Sequence, residues 1–140
     1  MTKNVLIKIK GVQQDDTGEM NSTETVVHGE YYFRNGSHYI LYEETDRDSG
    51  KTIKNSLKYK GNMLELTRKG AVESRMTFES GRRHIADYAT PFGMLRMETA
   101  ASRILFSEEE ECLQINAEYD LWTNGVLFSK CKLTIVLEPL

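Results

Sequence analysis

Cysteine and histidine are scarce in this chain: two and three in 140 residues. Cys112 and Cys131 fit no metal spacing, because one pair of thiols with no nearby histidine is half a zinc site at best. Both fall in expected strands and are read as reduced, semi-buried structural thiols. His28, His38 and His84 are too scattered to form a metal cluster, and no histidine–carboxylate–nucleophile set can be assembled around them. No cofactor and no enzyme activity are expected. Long apolar runs are also missing: none approaches the ~20 residues of a membrane helix. The opening MTKNVLIKIK has too short an apolar core, with lysines inside it, for a signal peptide. The expected location is therefore the cytoplasm, with no membrane partner. An excess of positive charge is lacking as well. A net charge of −3 and a pI near 5.7 argue against a nucleic-acid partner, which needs a basic footprint.

What the chain does have is alternation. Val5-Leu6-Ile7-Lys8-Ile9-Lys10 places Val5, Ile7 and Ile9 on one face and lysines on the other, the pattern of a half-buried strand. Gln13 to Ser22 is polar and reads as a loop. Thr23 to Arg34 alternates again up to Asn35-Gly36, the strongest short hairpin signal, and Ser37 to Thr45 returns. Asp46 to Gly50 makes the next turn, and Lys51 to Lys60 sets Ile53, Leu57 and Tyr59 against lysines. After Gly93, Met94 to Phe106 carries Leu95, Met97 and Thr99 on one face. Cys112 to Trp122 places Leu113, Ile115, Ala117, Tyr119 and Leu121 together, Asn124-Gly125 turns, and Val126 to Leu137 closes the chain. Glu98 to Glu108 is the one segment for which a helix ranks second. The expectation is a single all-β domain over residues 1–140, with about eight to ten strands of similar length. Consecutive hairpins without a long crossover favour an antiparallel up-and-down barrel, whose closure removes exposed edges.

The organising stretch is Leu64 to Thr99, four short runs separated by Lys69-Gly70, Ser80-Gly81 and Pro91-Phe92-Gly93. Arg68 shares a face with Leu64 and Leu66, so a guanidinium points where a core is expected. Such a group cannot shed its charge and must find a carboxylate, carbonyls, water or an anionic ligand. Glu43 is the expected internal partner, or Glu44 if the register differs by one. Thr99 and Tyr119 also sit on otherwise apolar faces and extend the polar set. Charge is unevenly spread: nine bases against three acids in residues 51–86, and six acids without a base in residues 107–120. Two solvated faces explain this, as does a basic patch meeting an anion or a second subunit.

Tyr39-Ile40-Leu41-Tyr42-Glu43-Glu44, then Leu66-Thr67-Arg68-Lys69-Gly70 running into Glu73-Ser74-Arg75-Met76-Thr77-Phe78, resemble the YwiB-like family of small bacterial proteins. Tyr88-Ala89-Thr90-Pro91-Phe92-Gly93, Glu98-Thr99 and Tyr119-Asp120-Leu121 continue the likeness in the same order. It spans essentially the whole chain and implies a calycin-like barrel, the broad group that includes lipocalins and fatty-acid-binding proteins. It implies no function.

Two motifs are set aside. Gly50-Lys51-Thr52 lacks the glycine a phosphate loop needs at position 45, which is Thr45. Asp46-x-Asp48-x-Gly50 departs from a calcium loop at Lys51 and Leu57. The expected function is a non-enzymatic barrel binding a small anionic or amphipathic ligand inside. Arg68, Glu43, Thr99, Tyr119, Arg75 and Tyr88 are the candidate contacts. The alternative is a solid-core interaction module that binds a protein, or a second copy of itself, through its outer surface.

Overall fold

The computed structural model describes residues 3–71, 73–90 and 93–140. In chain order the strands are β1 (Asn4–Gln14), β2 (Met20–Arg34), β3 (Ser37–Thr45), β4 (Thr52–Lys60), β5 (Met63–Gly70), β6 (Ser74–Glu79), β7 (Arg83–Thr90), β8 (Gly93–Glu109), β9 (Cys112–Thr123) and β10 (Val126–Pro139). They form one antiparallel sheet ordered β6-β5-β4-β3-β2-β1-β10-β9-β8-β7. Every neighbour in that order is also a neighbour in sequence, except β1 beside β10. The sheet curls into a nearly closed ten-stranded up-and-down barrel. Glu98 to Glu108, where a helix ranked second, is strand β8, its register shifted by a bulge between Ala101 and Arg103.

Turn chemistry sets the register. Asn35 and Gly36 take φ of 52° and 79°, and Asn124 and Gly125 take 48° and 83°. These pairs occupy the left-handed region that a two-residue hairpin turn requires. The loop expected over Gln13 to Ser22 shrinks to residues 15–19, because Asp15 organises it. Its Oδ1 accepts hydrogen bonds from Thr17 N (2.9 Å), Thr17 Oγ1 (2.6 Å) and Glu19 N (2.9 Å).

Inward residues form layers across β2 to β6. Phe33–His38–Tyr59–Leu64–Phe78 is the layer at one end, and Tyr31–Ile40–Leu57–Leu66–Met76 lies beneath it. Tyr42–Asn55–Arg68 marks the layer toward the opposite end. Val5 and Ile7 of β1, Leu113 and Ile115 of β9, and Ile135 and Leu137 of β10 are buried against these layers. Rings also fill the interior: Tyr59 stacks on Phe106 at 4.8 Å, and Phe78 tilts onto Tyr119 at 4.6 Å. Each buried aromatic of this kind removes a large apolar area from water, worth about 1.5–3 kcal/mol per side chain.

The barrel is imperfect in two places. At Gly29 an added Cβ would run into Ile7 Cδ1 and the Leu41 carbonyl, so only hydrogen fits there. The β2–β3 ladder stops at the adjacent pair Glu30–Leu41. Beyond it β2 pairs with β1 alone and β3 with β4 alone. The second imperfection is the seam between β6 and β7. There, among the described residues, the two strands lie side by side without a continuous ladder, joined at the turn by the antiparallel bridge Glu79–Arg82, and Ser80 forms a parallel bridge to Ala101 of β8.

Candidate functional site

The structure brings two of the residues expected to share a ligand, Arg75 and Thr99, to one cavity and places Arg68 in a separate cluster. Arg68 points inward as expected, and its Nε donates to Asn55 Oδ1 at 3.2 Å. Its Nη2 lies 3.6 Å from Glu44 Oε1, and Asn55 Nδ2 donates to the same oxygen at 2.9 Å. The carboxylate partner is thus Glu44. Glu43 is exposed on the outer face, because Ile40 and Tyr42 face the core and set the parity of β3. Burial pushes the Tyr42 phenol up to about 12, with Glu44 adding to the rise and Arg68 opposing it.

Arg75 is exposed and pairs with Glu65 across 3.3 Å on the outer surface. Thr99 is buried, and its hydroxyl donates to the Thr77 carbonyl at 2.5 Å, joining β8 to β6. Tyr119 packs on Phe78, and its phenol is pushed well up, first by burial and then by Cys131. Burial also raises the Cys131 thiol, opposed by hydrogen bonds to Ser129 and Tyr119. The side chain of Tyr88 lies outside the described residues. Arg75 and Thr99 both border the cavity between β6 and β7, whereas Arg68 meets Glu44 and Asn55 and Tyr119 packs on Phe78.

A concavity with chemically varied walls lies elsewhere, at the end of the barrel where β2 turns into β3. It measures about 870 Å³ and is walled by Tyr31, Phe33, His38 and Phe106, with Glu108, Glu109 and Glu110 along its rim and Lys3 opposite. The Asn35-Gly36 turn places Phe33 directly across from His38, and the two rings sit 4.7 Å apart. His38 meets Phe106 at 4.8 Å on its other side. Its Nδ1 is 2.7 Å from the Tyr31 hydroxyl. Burial among these rings lowers the His38 pKa, while the Glu108 carboxylate opposes that fall. Burial likewise raises Tyr31, with Glu108 reinforcing it. Phe33 stays 58% exposed, an aromatic rim open to solvent. The mouth thus offers ring faces, one neutral imidazole and a fringe of carboxylates.

A second concavity, about 700 Å³, follows the split between β2 and β3. His28, Glu30, Leu41, Tyr42, Glu43, Lys54 and Lys69 border it, a mixture of both charges with an apolar part from Leu41 and Tyr42. A third, about 330 Å³, lies in the β6–β7 seam between Met76, Thr77, His84 and Met97. His84, whose facing is ambiguous in the sequence, turns toward β6 and reaches Glu79 Oε1 at 2.9 Å. Arg83 turns outward and lies 4.6 Å over the Trp122 ring. Among the described residues no group of three or more His, Cys, Asp or Glu side chains is placed to hold a metal ion.

The aromatic mouth escapes a reading of the sequence because β2, β3 and β8 contribute to it. One signal was available: a two-residue turn at Asn35-Gly36 forces Phe33 opposite His38, so the two rings must share a face.

Comparison with known proteins agrees with this architecture. No curated protein matches the chain. The crystal structure of ywiB protein from Bacillus subtilis superposes with a TM-score of 0.86 at 28% sequence identity, covering 99% of this chain and 92% of that one. A family model described as a domain of unknown function, DUF1934, matches residues 7–135. On that match, and on the barrel that carries it, the chain belongs to the DUF1934 family.

Proposed function

We propose that this is a non-enzymatic, calycin-like binding protein of the cytoplasm that takes a small amphipathic cation at its aromatic mouth. The observation that carries this reading is the juxtaposition of Tyr31, Phe33, His38 and Phe106 with Glu108 to Glu110 around one cavity. Ring faces carry negative quadrupole charge and attract organic ammonium groups, by about 0.5–1 kcal/mol when exposed and ~2 when desolvated. Three carboxylates against one lysine add long-range attraction for the same sign of ligand.

An anion inside the barrel, the first expectation, is less well supported. Arg68 already meets Glu44 and Asn55, and the rings of Tyr59, Phe106, Phe78 and Tyr119 take up interior space. The free thiols of Cys112 and Cys131 suit a reducing compartment.

The test is a two-dimensional NMR titration with choline and with its neutral carbon isostere, neohexanol. Choline is expected to shift resonances of residues 31–38 and 104–110, with Glu108→Gln weakening the effect several-fold and neohexanol binding much less. Equal response to the two compounds, or shifts confined to other surfaces, would overturn the reading. Benzoate shifting the Arg68 region instead would restore the anion.

A further inference from the structure

We propose that His38 gates the mouth: protonation of its ring puts the protein's own cation among the aromatic side chains and expels a cationic ligand. This regulation presupposes that the mouth is a cation site. Phe33 and Tyr59 are the ladder partners of His38 on β2 and β4, and Phe106 reaches it from β8. The ring centroids of Phe33, Phe106, Tyr31 and Tyr59 stand 4.7, 4.8, 5.9 and 6.0 Å from that of the imidazole. Cations are attracted to ring faces within about 6 Å of the centroid. A charged imidazole at this position therefore meets four rings at the range where an ammonium group would, in the cavity that its side chain also lines.

A neutral ring tolerates a cation beside it, and a charged ring repels one. Protonation acts a second time through the carboxylates. The charged ring is drawn to Glu108, which already opposes the fall in the His38 pKa, so the acidic fringe attracts a further cation less. The hydrogen bond to Tyr31 changes sense as well. A protonated imidazole carries hydrogen on both nitrogens, so Nδ1 then donates to the Tyr31 oxygen 2.7 Å away. The ionisable groups around His38 are Tyr31 and Tyr32 from β2, Tyr59 from β4, Glu108 and Glu109 from β8, Glu110 beyond it, and Lys3 ahead of β1. Burial raises the Tyr31 and Tyr59 phenols, and hydrogen bonding to Tyr32 raises Lys3, so these three keep their protons in acid. An ordinary imidazole titrates near about 6.5 and an ordinary glutamate near about 4.3. Mild acid therefore addresses the imidazole before the fringe.

The experiment titrates choline into the full chain by two-dimensional NMR at a series of pH values from about 7.5 down to about 5.0. The His38 ring resonances give its own midpoint in the same samples. The apparent Kd for choline is expected to rise several-fold toward the acid end, in proportion to the loss of neutral His38. Reciprocally, saturating choline is expected to move the His38 midpoint to lower pH, because the bound cation opposes the proton. In His38→Gln, whatever affinity is left, the Kd should change little across the series. A variant that binds too weakly to titrate leaves the wild-type midpoint shift as the deciding readout. A Kd that ignores pH while His38 titrates would overturn the gate and leave the cation reading standing. So would a midpoint that choline does not move, or an equal acid loss in His38→Gln, which would assign the effect to the carboxylates. Absence of choline shifts at the mouth even at the alkaline end would overturn the cation reading, and the gate with it.

Discussion

Arg68 Nε donates to Asn55 Oδ1 across 3.2 Å, and that bond determines which way the Asn55 amide faces. Its nitrogen is thereby left to reach Glu44. Asn55 is 3% exposed, whereas the Arg68 side chain is 37% exposed. Truncation of the amide is therefore expected to hurt more than removal of the charge. Asn55→Ala should lose about 1–3 kcal/mol of stability, the cost of stranding buried polar partners. Arg68→Ala should lose under ~1 kcal/mol, because water screens its ion pair. Urea unfolding of the two variants checks the order; the reverse order would make Arg68 the keystone.

The Thr99–Thr77 hydrogen bond makes a second, local prediction. Thr99→Val keeps the shape but leaves the Thr77 carbonyl without its donor at a buried seam. A loss of about 1 kcal/mol is expected, together with faster amide exchange in β6 than in β3. Thr99→Ser should retain most of both. Unchanged β6 protection in Thr99→Val would show that the seam is held by packing alone.

pH dependence follows from His38. Burial holds its folded pKa below the ordinary 6.5, with Glu108 opposing the shift. An unfolded chain takes up the proton that the folded mouth resists, so this contribution to stability is complete above about 6.5 and is lost as pH falls through the folded value. The thermal midpoint should drop as the solution is acidified below that point, and His38→Gln should flatten this part of the profile. Glu108→Gln removes the opposing carboxylate and should steepen it. Identical profiles for the wild type and His38→Gln would assign the slope to other groups.

Much of the barrel is written in the chain, because strand alternation and Asn-Gly turns are local signals. Ile53, Leu57 and Tyr59 face inward as their spacing implies, and so do Leu113, Ile115, Ala117 and Leu121. Arg68 is also on the inner face. Its partner stays open between Glu43 and Glu44 in the sequence, because alternation gives a strand two faces without saying which is buried. The hairpin turn supplies that missing bit: Arg34 pairs with Ser37, which puts Ile40, Tyr42 and Glu44 inside. The mouth was illegible for a different reason. Phe106 reaches His38 only after the sheet has curled, and no local pattern encodes that curvature. The seam was hidden likewise, since an ideal closed barrel has a continuous ladder and, among the described residues, this one breaks between β6 and β7.

The ladder between β1 and β10 pairs Val5 with Pro139 and Gln14 with Lys130. All the other ladders join strands that follow one another in the chain. Assembly of this molecule therefore resembles a strip of quickly formed hairpins fastened late along a single line. Bringing that line together carries the loop-closure entropy of nearly the whole polypeptide. Substitutions along β1 and β10 should consequently govern how fast the native state is reached, whereas those in the β3–β4 hairpin should act chiefly on how long it lasts.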